Sequence, residues 1–257
     1  MQITVLGCGA AAGVPMVSRG WGDCSSSNPK NRRLRSSVFV SDKGTDILID
    51  SGPDLREQLL SAGIRNIDAV LYTHLHADHT DGVNELREIN RLTQEAIPIY
   101  GDTATIDSIY TRFDYAFKDI DLSKEALYHV ILQKNIINPY IDFKVKDIEI
   151  KPFSQNHCFM DTLGFRMGDF AYSTDAVDLD EKAFEVLKGV KVWLVGCLSL
   201  NPHPSHAGLE KVLEWAKIVN PEQIYLTHMS IGMDYDTLCQ MLPTNIRPAY
   251  DGMVIDI

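Results

Sequence analysis

His74-Leu75-His76-Ala77-Asp78-His79 is the stretch of sequence that determines which fold and chemistry this chain can have. It brings three imidazoles and one carboxylate together within six residues, directly after the apolar run 67–73. In an extended segment, side chains two positions apart point to the same side, so His74 and His76 can reach one metal ion together. If the chain then turns into a helix, Asp78 and His79 face a second ion beside the first.

The spacing of this motif suits metal chemistry and matches neither packing period of regular secondary structure. Hydrolytic sites with two metals hold their ions ~3.5–4 Å apart, which a loop this short can span. Burying several imidazoles and a carboxylate together without a cation would cost free energy. The motif therefore predicts a metal site that carries out hydrolysis.

Further residues of ligand type each follow a strand-like run in the second half of the chain. They are His157, Asp175 and His228. Folds of the α/β class gather functional groups at the edge where their strands end. Any one of these residues, taken alone, is better explained as structural, but the upstream motif favours the ligand interpretation. Asp175 has two carboxylate oxygens and is therefore suited to bridge two ions.

Length and charge restrict the class of partner. The chain has 257 residues, of which 45% are hydrophobic, so a substantial core in one domain is expected. Its formal net charge is −11, and two divalent ions would still leave it acidic. Non-specific binding to nucleic acid needs a surface of Lys and Arg. A long RNA or DNA substrate is therefore not expected.

Cysteine usage and hydropathy indicate a cytoplasmic protein. The five cysteines are scattered and form no C-x-x-C pair, so a disulfide framework is not expected. The N-terminal residues carry no cation before Arg19 and show no secretory signal. The apolar run 192–200 is far shorter than the ~20 residues that cross a bilayer, so no membrane partner is expected.

Strand-like and helix-like runs alternate, which favours an α/β layered fold in one domain covering 1–257. Strands are expected at 2–6, 37–41, 46–50, 142–153, 162–167, 169–173, 190–195 and 223–227. Helices are expected at 54–60, 81–92, 103–113, 180–187, 208–219 and 235–242. Residues 7–34 predict a long loop, which in a compact domain is usually functional or flexible. The segment 114–140 has weak periodicity and is interpreted as an insertion or a lid.

The sequence resembles a known family. The motif with its continuation Thr80-Asp81-Gly82 is similar to the signature of the metallo-β-lactamase fold hydrolases. The resemblance covers essentially the whole chain, including Gly7-Cys8-Gly9, Leu48-Ile49-Asp50-Ser51-Gly52 and Tyr250-Asp251-Gly252-Met253. Within that superfamily the chain is most similar to the PhnP-like phosphodiesterases, relatives of the tRNA-processing RNase Z group. The resemblance implies a four-layer αββα sandwich with a dinuclear metal site at one edge of the sheets.

The resemblance also implies a ligand set. One ion would be held by His74, His76 and His157, the other by Asp78, His79 and His228, with Asp175 bridging. Asp78 is in addition expected to take part in catalysis. Sites of His and Asp accept Zn²⁺, Mn²⁺ or Fe, so zinc or manganese is expected, with iron as a further option.

A catalytic histidine is implied as well, from a late loop that precedes a helix. In Asn201-Pro202-His203-Pro204-Ser205-His206 the better match is His206, for which a helix-capping role is the alternative. His203 lies in a rigid turn between two prolines, where substrate contact and simple exposure both remain open. Asp50 and Asp81 are expected to orient ligand imidazoles.

Arg32, Arg33 and Arg35 form the only tight cationic cluster of the sequence. Guanidinium groups bind phosphate oxygens in pairs, so these residues are candidates for substrate binding. A solvated loop that balances an acidic protein is an equally good interpretation.

One departure from the family pattern lies in the N-terminal loop. The resemblance implies a cysteine cluster there that binds an additional structural zinc, but this chain has only Cys24 in that stretch. We therefore expect the additional zinc site to be missing. The loop borders the active site in the family, so the identity of the substrate is left open.

These features predict a dinuclear metal-dependent hydrolase, and a phosphodiesterase in particular. A hydroxide bridging the ions would attack phosphorus, because metal binding lowers the pKa of water from 15.7 toward ~7. His206 would protonate the leaving alkoxide. The resemblance suggests a small substrate, such as a cyclic ribose phosphodiester, and a homodimer. The alternatives are a lactonase or thioesterase on the same metals, a tRNA 3′-processing nuclease, and a non-catalytic protein that keeps the fold.

Overall fold

Two seven-stranded sheets face each other at the centre of the molecule, in a computed structural model that describes residues 1–118 and 130–257. The strands of the first sheet are β1 (Gln2–Gly7), β2 (Ser37–Asp42), β3 (Thr45–Ile49), β4 (Ala69–Leu71), β5 (Ile97–Gly101), β6 (Leu132–Ile136) and β14 (Met253–Asp256). Their order is β14-β1-β2-β3-β4-β5-β6. The pairs from β14 to β3 are antiparallel, and those from β3 to β6 are parallel.

The second sheet repeats this arrangement. Its strands are β7 (Phe143–Val145), β8 (Ile148–His157), β9 (Met160–Met167), β10 (Phe170–Ser173), β11 (Val192–Gly196), β12 (Gln223–Thr227) and β13 (Ile246–Pro248). They pair in the order β7 to β13, antiparallel as far as β10 and parallel from there on. In each sheet, therefore, the parallel strands end together at one edge.

The helices follow the parallel strands. They are α1 (Leu55–Ala62), α2 (Ala77–Thr80), α3 (Arg87–Thr93), α4 (Thr103–Arg112), α5 (Glu181–Leu187), α6 (Leu209–Val219) and α7 (Tyr235–Met241). Short 3₁₀ turns occur at Pro29–Asn31, Val83–Leu86 and Asp114–Phe117. Among the described residues, no helix has the length and apolar character needed to span a membrane.

Alternating side chains on the strands create the layers. Along β3, Ile47 and Ile49 pack in the core shared by both sheets, while Leu48 packs on the opposite face with Leu55 of α1. On the far side of the second sheet, Trp215 of α6 lies 6.3 Å from the Trp193 ring of β11, centroid to centroid. Burial of such side chains is the main stabilising contribution to the fold. The expected four-layer αββα sandwich is confirmed.

Most expected elements are present with shifts of a few residues at their ends. The helix expected at 81–92 is divided into the 3₁₀ turn Val83–Leu86 and α3. Strand β5 was not expected, because Pro98 in its middle is a residue that strands disfavour. Of the expected insertion or lid 114–140, the described parts are a 3₁₀ turn and the edge strand β6. Residues 119–129 lie outside the described residues, so the lid stays a prediction.

Candidate metal centre

Seven side chains from both sheets converge at the edge where the parallel strands end. They form two groups, His74, His76, His157 and Asp175, and Asp78, His79, Asp175 and His228, and the ligand atoms of each group lie within 4.8 Å of one another. Asp175 belongs to both. The motif follows β4 of the first sheet, whereas His157, Asp175 and His228 come from the ends of β8, β10 and β12 in the second sheet. The site therefore lies between the two halves of the molecule.

Left-handed backbone conformations place several of these side chains. Asp50, Asp175 and His228 have φ values of 63°, 49° and 53°, each directly after or near the end of a strand. Non-glycine residues rarely adopt this region, at a free-energy cost of about 1–3 kcal/mol each. Strain of this kind persists where the surrounding structure fixes it, and functional sites are where it clusters.

Asp50 orients two of the histidines. His79 Nδ1 lies 2.7 Å from Asp50 Oδ2, so this nitrogen carries a hydrogen and donates it. The Thr73 hydroxyl donates to the same carboxylate at 2.9 Å and accepts from His74 Nδ1 at 3.0 Å. A neutral imidazole has one donor and one acceptor nitrogen, so the Nε2 lone pairs of His79 and His74 are free to face the cluster.

His157 is held from behind as well, whereas His228 faces Asp175 and a serine hydroxyl. His157 Nδ1 donates to the Ser205 carbonyl oxygen at 2.7 Å. The lone pair of His157 Nε2 therefore faces Asp175, and Nε2 lies 3.8 Å from Asp175 Oδ2. His228 Nδ1 lies 3.0 Å from Asp175 Oδ1 and 3.3 Å from the Ser36 hydroxyl. Outer hydrogen bonds of this kind orient metal-binding imidazoles.

The charge states suit a cation. Burial lowers the pKa of His74, His157 and His228, in the last case to about 4, so these imidazoles are neutral at pH 7. Burial alone would raise the pKa of Asp175, but the surrounding histidines outweigh it and hold that pKa well below 3.8. Neutral imidazoles and ionised carboxylates are the forms that bind metals.

His79 shows most directly that a cation fits. Its Nε2 atom is buried and has no hydrogen-bond partner among the described residues, although it lies 3.2 Å from Asp78 Oδ2 and 3.5 Å from Asp175 Oδ1. Burial opposes protonation of His79, but the carboxylates of Asp175, Asp50 and Asp78 outweigh burial and raise its pKa well above 6.5. Those carboxylates thus attract positive charge at Nε2, where a proton or a metal ion can supply it.

The first group fits a cation for a similar reason. His74 Nε2 and His76 Nδ1 face each other at 2.9 Å, and their rings meet nearly edge to face. A cation can accept both nitrogens, whereas a single proton satisfies one donor and one acceptor. The residues present therefore fit divalent metal ions.

His206 lies at the rim of this cluster. Its Nε2 atom is 3.2 Å from Asp175 Oδ2, and its ring stacks 5.1 Å from that of His228. The exposed His203 ring is 5.2 Å away. A cavity of about 290 Å³ opens beside both histidines and is also lined by Lys211. His206 is therefore positioned to meet a substrate that enters next to the metals.

The family follows from two comparisons. A family model described as the beta-lactamase superfamily domain matches residues 45–229. A diphosphatase described as a new member of the PhnP family is 31% identical, with a TM-score of 0.90 over 100% of this chain and 97% of the other. The chain belongs to the PhnP family of the beta-lactamase superfamily. Membership of this family supports metal-dependent hydrolysis as the chemistry of the site.

Two curated relatives are longer than this PhnP-family chain. The octanoyltransferase of Porphyromonas gingivalis (strain ATCC BAA-308 / W83) is 33% identical over 257 residues, which are 98% of this chain and 51% of that protein. The ribonuclease Z of Bradyrhizobium sp. (strain ORS 278) is 36% identical over 89 residues, 33% of this chain and 30% of that protein. The chain thus spans about half the length of the first and less of the second.

The arginines of this PhnP-family chain do not form one cluster. Arg33 is 2% exposed, and its guanidinium donates to the carbonyl oxygens of Met233 at 2.6 Å and Ser230 at 3.3 Å. A group this buried holds the N-terminal loop in place, which corrects the expected substrate contact at Arg33. Arg35 is half-buried and pairs with Asp54 at 2.8 Å, and it stays a candidate for substrate contact. Arg32 is exposed and stays a candidate.

Asp81 also differs from expectation. It pairs with Arg112 at the end of α4 and, among the described residues, forms no hydrogen bond to a ligand imidazole. Arg112 in turn donates to Thr80 Oγ1 at 2.9 Å and to the Leu75 carbonyl at 3.3 Å. Asp81 therefore helps to fasten the metal-binding loop, which corrects the expected role of orienting an imidazole. Thr73 and Ser205, which do contact ligand histidines, were missed, although both adjoin a predicted site residue in the sequence.

Proposed function

We propose that this protein is a dinuclear phosphodiesterase that uses two Zn²⁺ or Mn²⁺ ions to hydrolyse a small phosphodiester. The observation that carries the proposal is the pair of ligand groups that share Asp175. Two ions held side by side are the arrangement that clamps the attacking and leaving oxygens of an in-line displacement. Membership of the PhnP family supports phosphorus chemistry, since the related PhnP-family protein is a diphosphatase.

The protein residues have separate tasks in this reaction. When bound, the ions supply Lewis-acid charge to the phosphate and lower the pKa of a water molecule. Asp175 belongs to both ligand groups and so fixes their positions relative to each other. Asp78 contributes a carboxylate that faces His79 Nε2 at 3.2 Å. His206 holds a proton at Nε2, next to Asp175, from where it can pass to a leaving oxygen.

The charge of the chain favours a small substrate. A net charge of −11 opposes non-specific binding to a long polyanion. Arg32 and His203 are exposed and are candidates for substrate contact, and His203 lines the cavity beside His206. We also propose a homodimer, which size-exclusion chromatography with light scattering would test.

The test is turnover of bis(p-nitrophenyl) phosphate by the wild type and by His76→Ala, with added Mn²⁺ or Zn²⁺. We expect chelation or the substitution to abolish turnover, and re-addition of metal to restore the wild type alone. Turnover that survives both treatments would contradict the metal mechanism. His206→Ala should bind the same amount of metal and lose about 10²–10⁴ in kcat on esters with poor leaving groups.

A second candidate is an acyl hydrolase, a lactonase or thioesterase that uses the same metals. The specific observation in its favour is that this chain corresponds to half of an octanoyltransferase. An octanoyl thioester and a lactone, assayed beside the phosphodiester, distinguish the two by which bond the metal-loaded protein cleaves. A precursor tRNA assayed in the same way tests the nuclease alternative that the ribonuclease Z match raises.

A further inference from the structure

A groove of about 390 Å³ lies between α1 and α3, on the outer face of the first sheet. Its floor is apolar, because Leu59 and Ile89 are 8% and 2% exposed. One leucine projects into solvent on each side of this floor, Leu60 from α1 with 62% exposure and Leu92 from α3 with 54%. Exposed apolar side chains that adjoin one another and have a polar rim mark interaction sites.

The α1–α3 groove is separate from the metal centre, since none of the residues that line it belongs to either ligand group. A small polar substrate of the metal centre would also gain little from an apolar floor between two leucines. The surface suits another protein face that is apolar in the middle and charged at its edges.

The two walls of the groove carry opposite charges. Arg56 and Arg65 line the α1 wall, whereas Glu85 and Glu88 line the α3 wall. Glu88 is shared with the arginines of its own helix, at 2.7 and 3.6 Å. Among the described residues, Arg56, Arg65 and Glu85 form no ion pair. The charges that remain unpaired are therefore positive on one wall and negative on the other.

The two helices run in the same direction. Strands β3, β4 and β5 are parallel, and α1 and α3 each lie in the connection from one of them to the next. Leu60 is the sixth residue of α1 and Leu92 the sixth of α3, so the two leucines lie at the same level along the groove. Arg56 lies near the start of α1, and Glu85 lies just before α3. The charges are thus at one end of the groove and the leucines toward the other.

We propose that the α1–α3 groove is the surface through which two copies of this chain associate, with the two-fold axis running along the groove. Rotation about this axis lays the α1 wall of each copy on the α3 wall of the other and keeps each level unchanged. Leu60 of one copy then meets Leu92 of the second copy, and Arg56 meets Glu85 of the second copy. An axis across the groove would instead oppose arginine to arginine, which like-charge repulsion disfavours.

The inference assigns a surface to the homodimer proposed above and does not depend on the reaction. In a two-fold dimer each contact is formed twice, so the effect of one substitution on association is doubled. A face made of two short helices is at the lower end of known interface sizes, and we therefore expect a dissociation constant in the micromolar range.

The test is sedimentation equilibrium of the metal-loaded full chain between about 1 and 300 µM, a range that spans micromolar dissociation constants. Leu60→Glu places a carboxylate where the leucines meet and should raise the dissociation constant about 100-fold or more. Ile218→Glu is the matched control, because this side chain of α6 is equally exposed, at 61%, on the other side of the molecule. It should dimerise as the wild type does. Both side chains face solvent, so both variants should fold, which circular dichroism checks.

Charge reversal tests the direction of the axis. Arg56→Glu and Glu85→Arg should each raise the dissociation constant about 10-fold, because each opposes like charges twice. The double variant exchanges the signs of the two walls and should return to the wild-type value. A double variant that is no better than the single ones would overturn the proposed pairing of the walls.

A wild type that is monomeric at 300 µM would overturn the proposal, and so would a Leu60→Glu protein that dimerises like the wild type or an Ile218→Glu protein that does not. Turnover of bis(p-nitrophenyl) phosphate by the same samples keeps the proposed function apart from this result. An inactive dimer that Leu60→Glu dissociates would contradict the phosphodiesterase alone, and an active monomer would contradict the interface alone.

Discussion

At the scale of single residues, Asp50 has the widest influence on the site. It is fully buried and accepts hydrogen bonds from His79 Nδ1, from the Thr73 hydroxyl and from the Thr73 N–H. Through Thr73 it also sets the orientation of His74. One carboxylate therefore fixes one histidine in each of the two ligand groups.

Asp50→Asn should weaken the binding of both ions by about 10–100-fold, because an amide cannot accept all three hydrogen bonds. Titration with Zn²⁺ followed by calorimetry measures the change. Asp169→Asn is the control: its carboxylate pairs with Lys191 at 2.7 Å, away from the ligand residues, so the zinc affinity of this variant should stay close to that of the wild type. Equal losses in both variants would refute the role given to Asp50.

The sequence predicted the converging ligand residues and one residue that orients them, Asp50, but not Thr73 or Ser205. His157, Asp175 and His228 were expected from strand ends, and the structure brings them to the motif. Arg33 looked like part of a cationic patch, because a sequence does not show that Met233 and Ser230 enclose the guanidinium. The carbonyl of Ser205 was equally invisible, since backbone acceptors have no signature of their own.

At the scale of elements, the loop after β3 packs directly against the metal-binding helix α2. A Cβ atom on Gly52 would lie 2.1 Å from the Asp78 carbonyl oxygen, and one on Gly82 would lie 2.0 Å from the Gly52 carbonyl oxygen. Both contacts are with backbone, so neither can be relieved by rotating a side chain. Glycine at these positions allows the close approach that places Asp78.

Gly52→Ala should therefore displace α2, lower the metal content and cost about 1–3 kcal/mol in the free energy of unfolding. Denaturant titration and metal analysis check these two effects. Gly101→Ala serves as control at another strand end, because its Cβ would meet Ile106 Cδ1 at an ordinary 3.4 Å. A Gly52→Ala protein that keeps its metal would show that the packing is not required.

Long, periodic elements were predictable, and short or polar ones were not. The helix expected at 208–219 is observed as Leu209–Val219, and the strand at 223–227 is observed unchanged. Strand β6 has the sequence Leu-Gln-Lys-Asn-Ile and shows little alternation, because it lies at the edge of its sheet. Its pairing with β5 is set by tertiary contacts that the local sequence does not encode.

At the scale of the whole molecule, the metals would join two sheets that each contribute part of the site. Ligands bind the folded chain only, so saturating metal stabilises it by about 2.7 kcal/mol per site at a hundredfold excess over Kd. Removing metal with a chelator should lower Tm by about 5–10 °C per ion for a chain of this size. Differential scanning calorimetry with and without Zn²⁺ tests this, and an unchanged Tm would contradict it.

Asp251 ties the C-terminal turn to the N-terminal loop and adds a pH dependence. It accepts from the Leu34 N–H at 2.6 Å and the Cys8 N–H at 3.0 Å, and burial raises its pKa from 3.8 to about 6. The folded chain thus holds this proton more tightly than the unfolded chain. The stability that the proton provides is present below about pH 4 and is lost as pH rises through 6.

The free energy of unfolding of the wild type should therefore fall by up to about 3 kcal/mol between pH 4 and pH 7, relative to that of Asp251→Asn. Urea titrations of both metal-free proteins at several pH values measure the difference between their free energies of unfolding. Both proteins contain the same histidines, so the titration of those histidines cancels in the difference. A difference that does not vary with pH would contradict the assigned shift.

The central claim is tested most directly by anomalous diffraction at the zinc edge from crystals grown with Zn²⁺. We predict two anomalous peaks per chain, one in contact with His74, His76 and His157 and the other with Asp78, His79 and His228, with Asp175 touching both. A single peak, or none among these side chains, would contradict the dinuclear site.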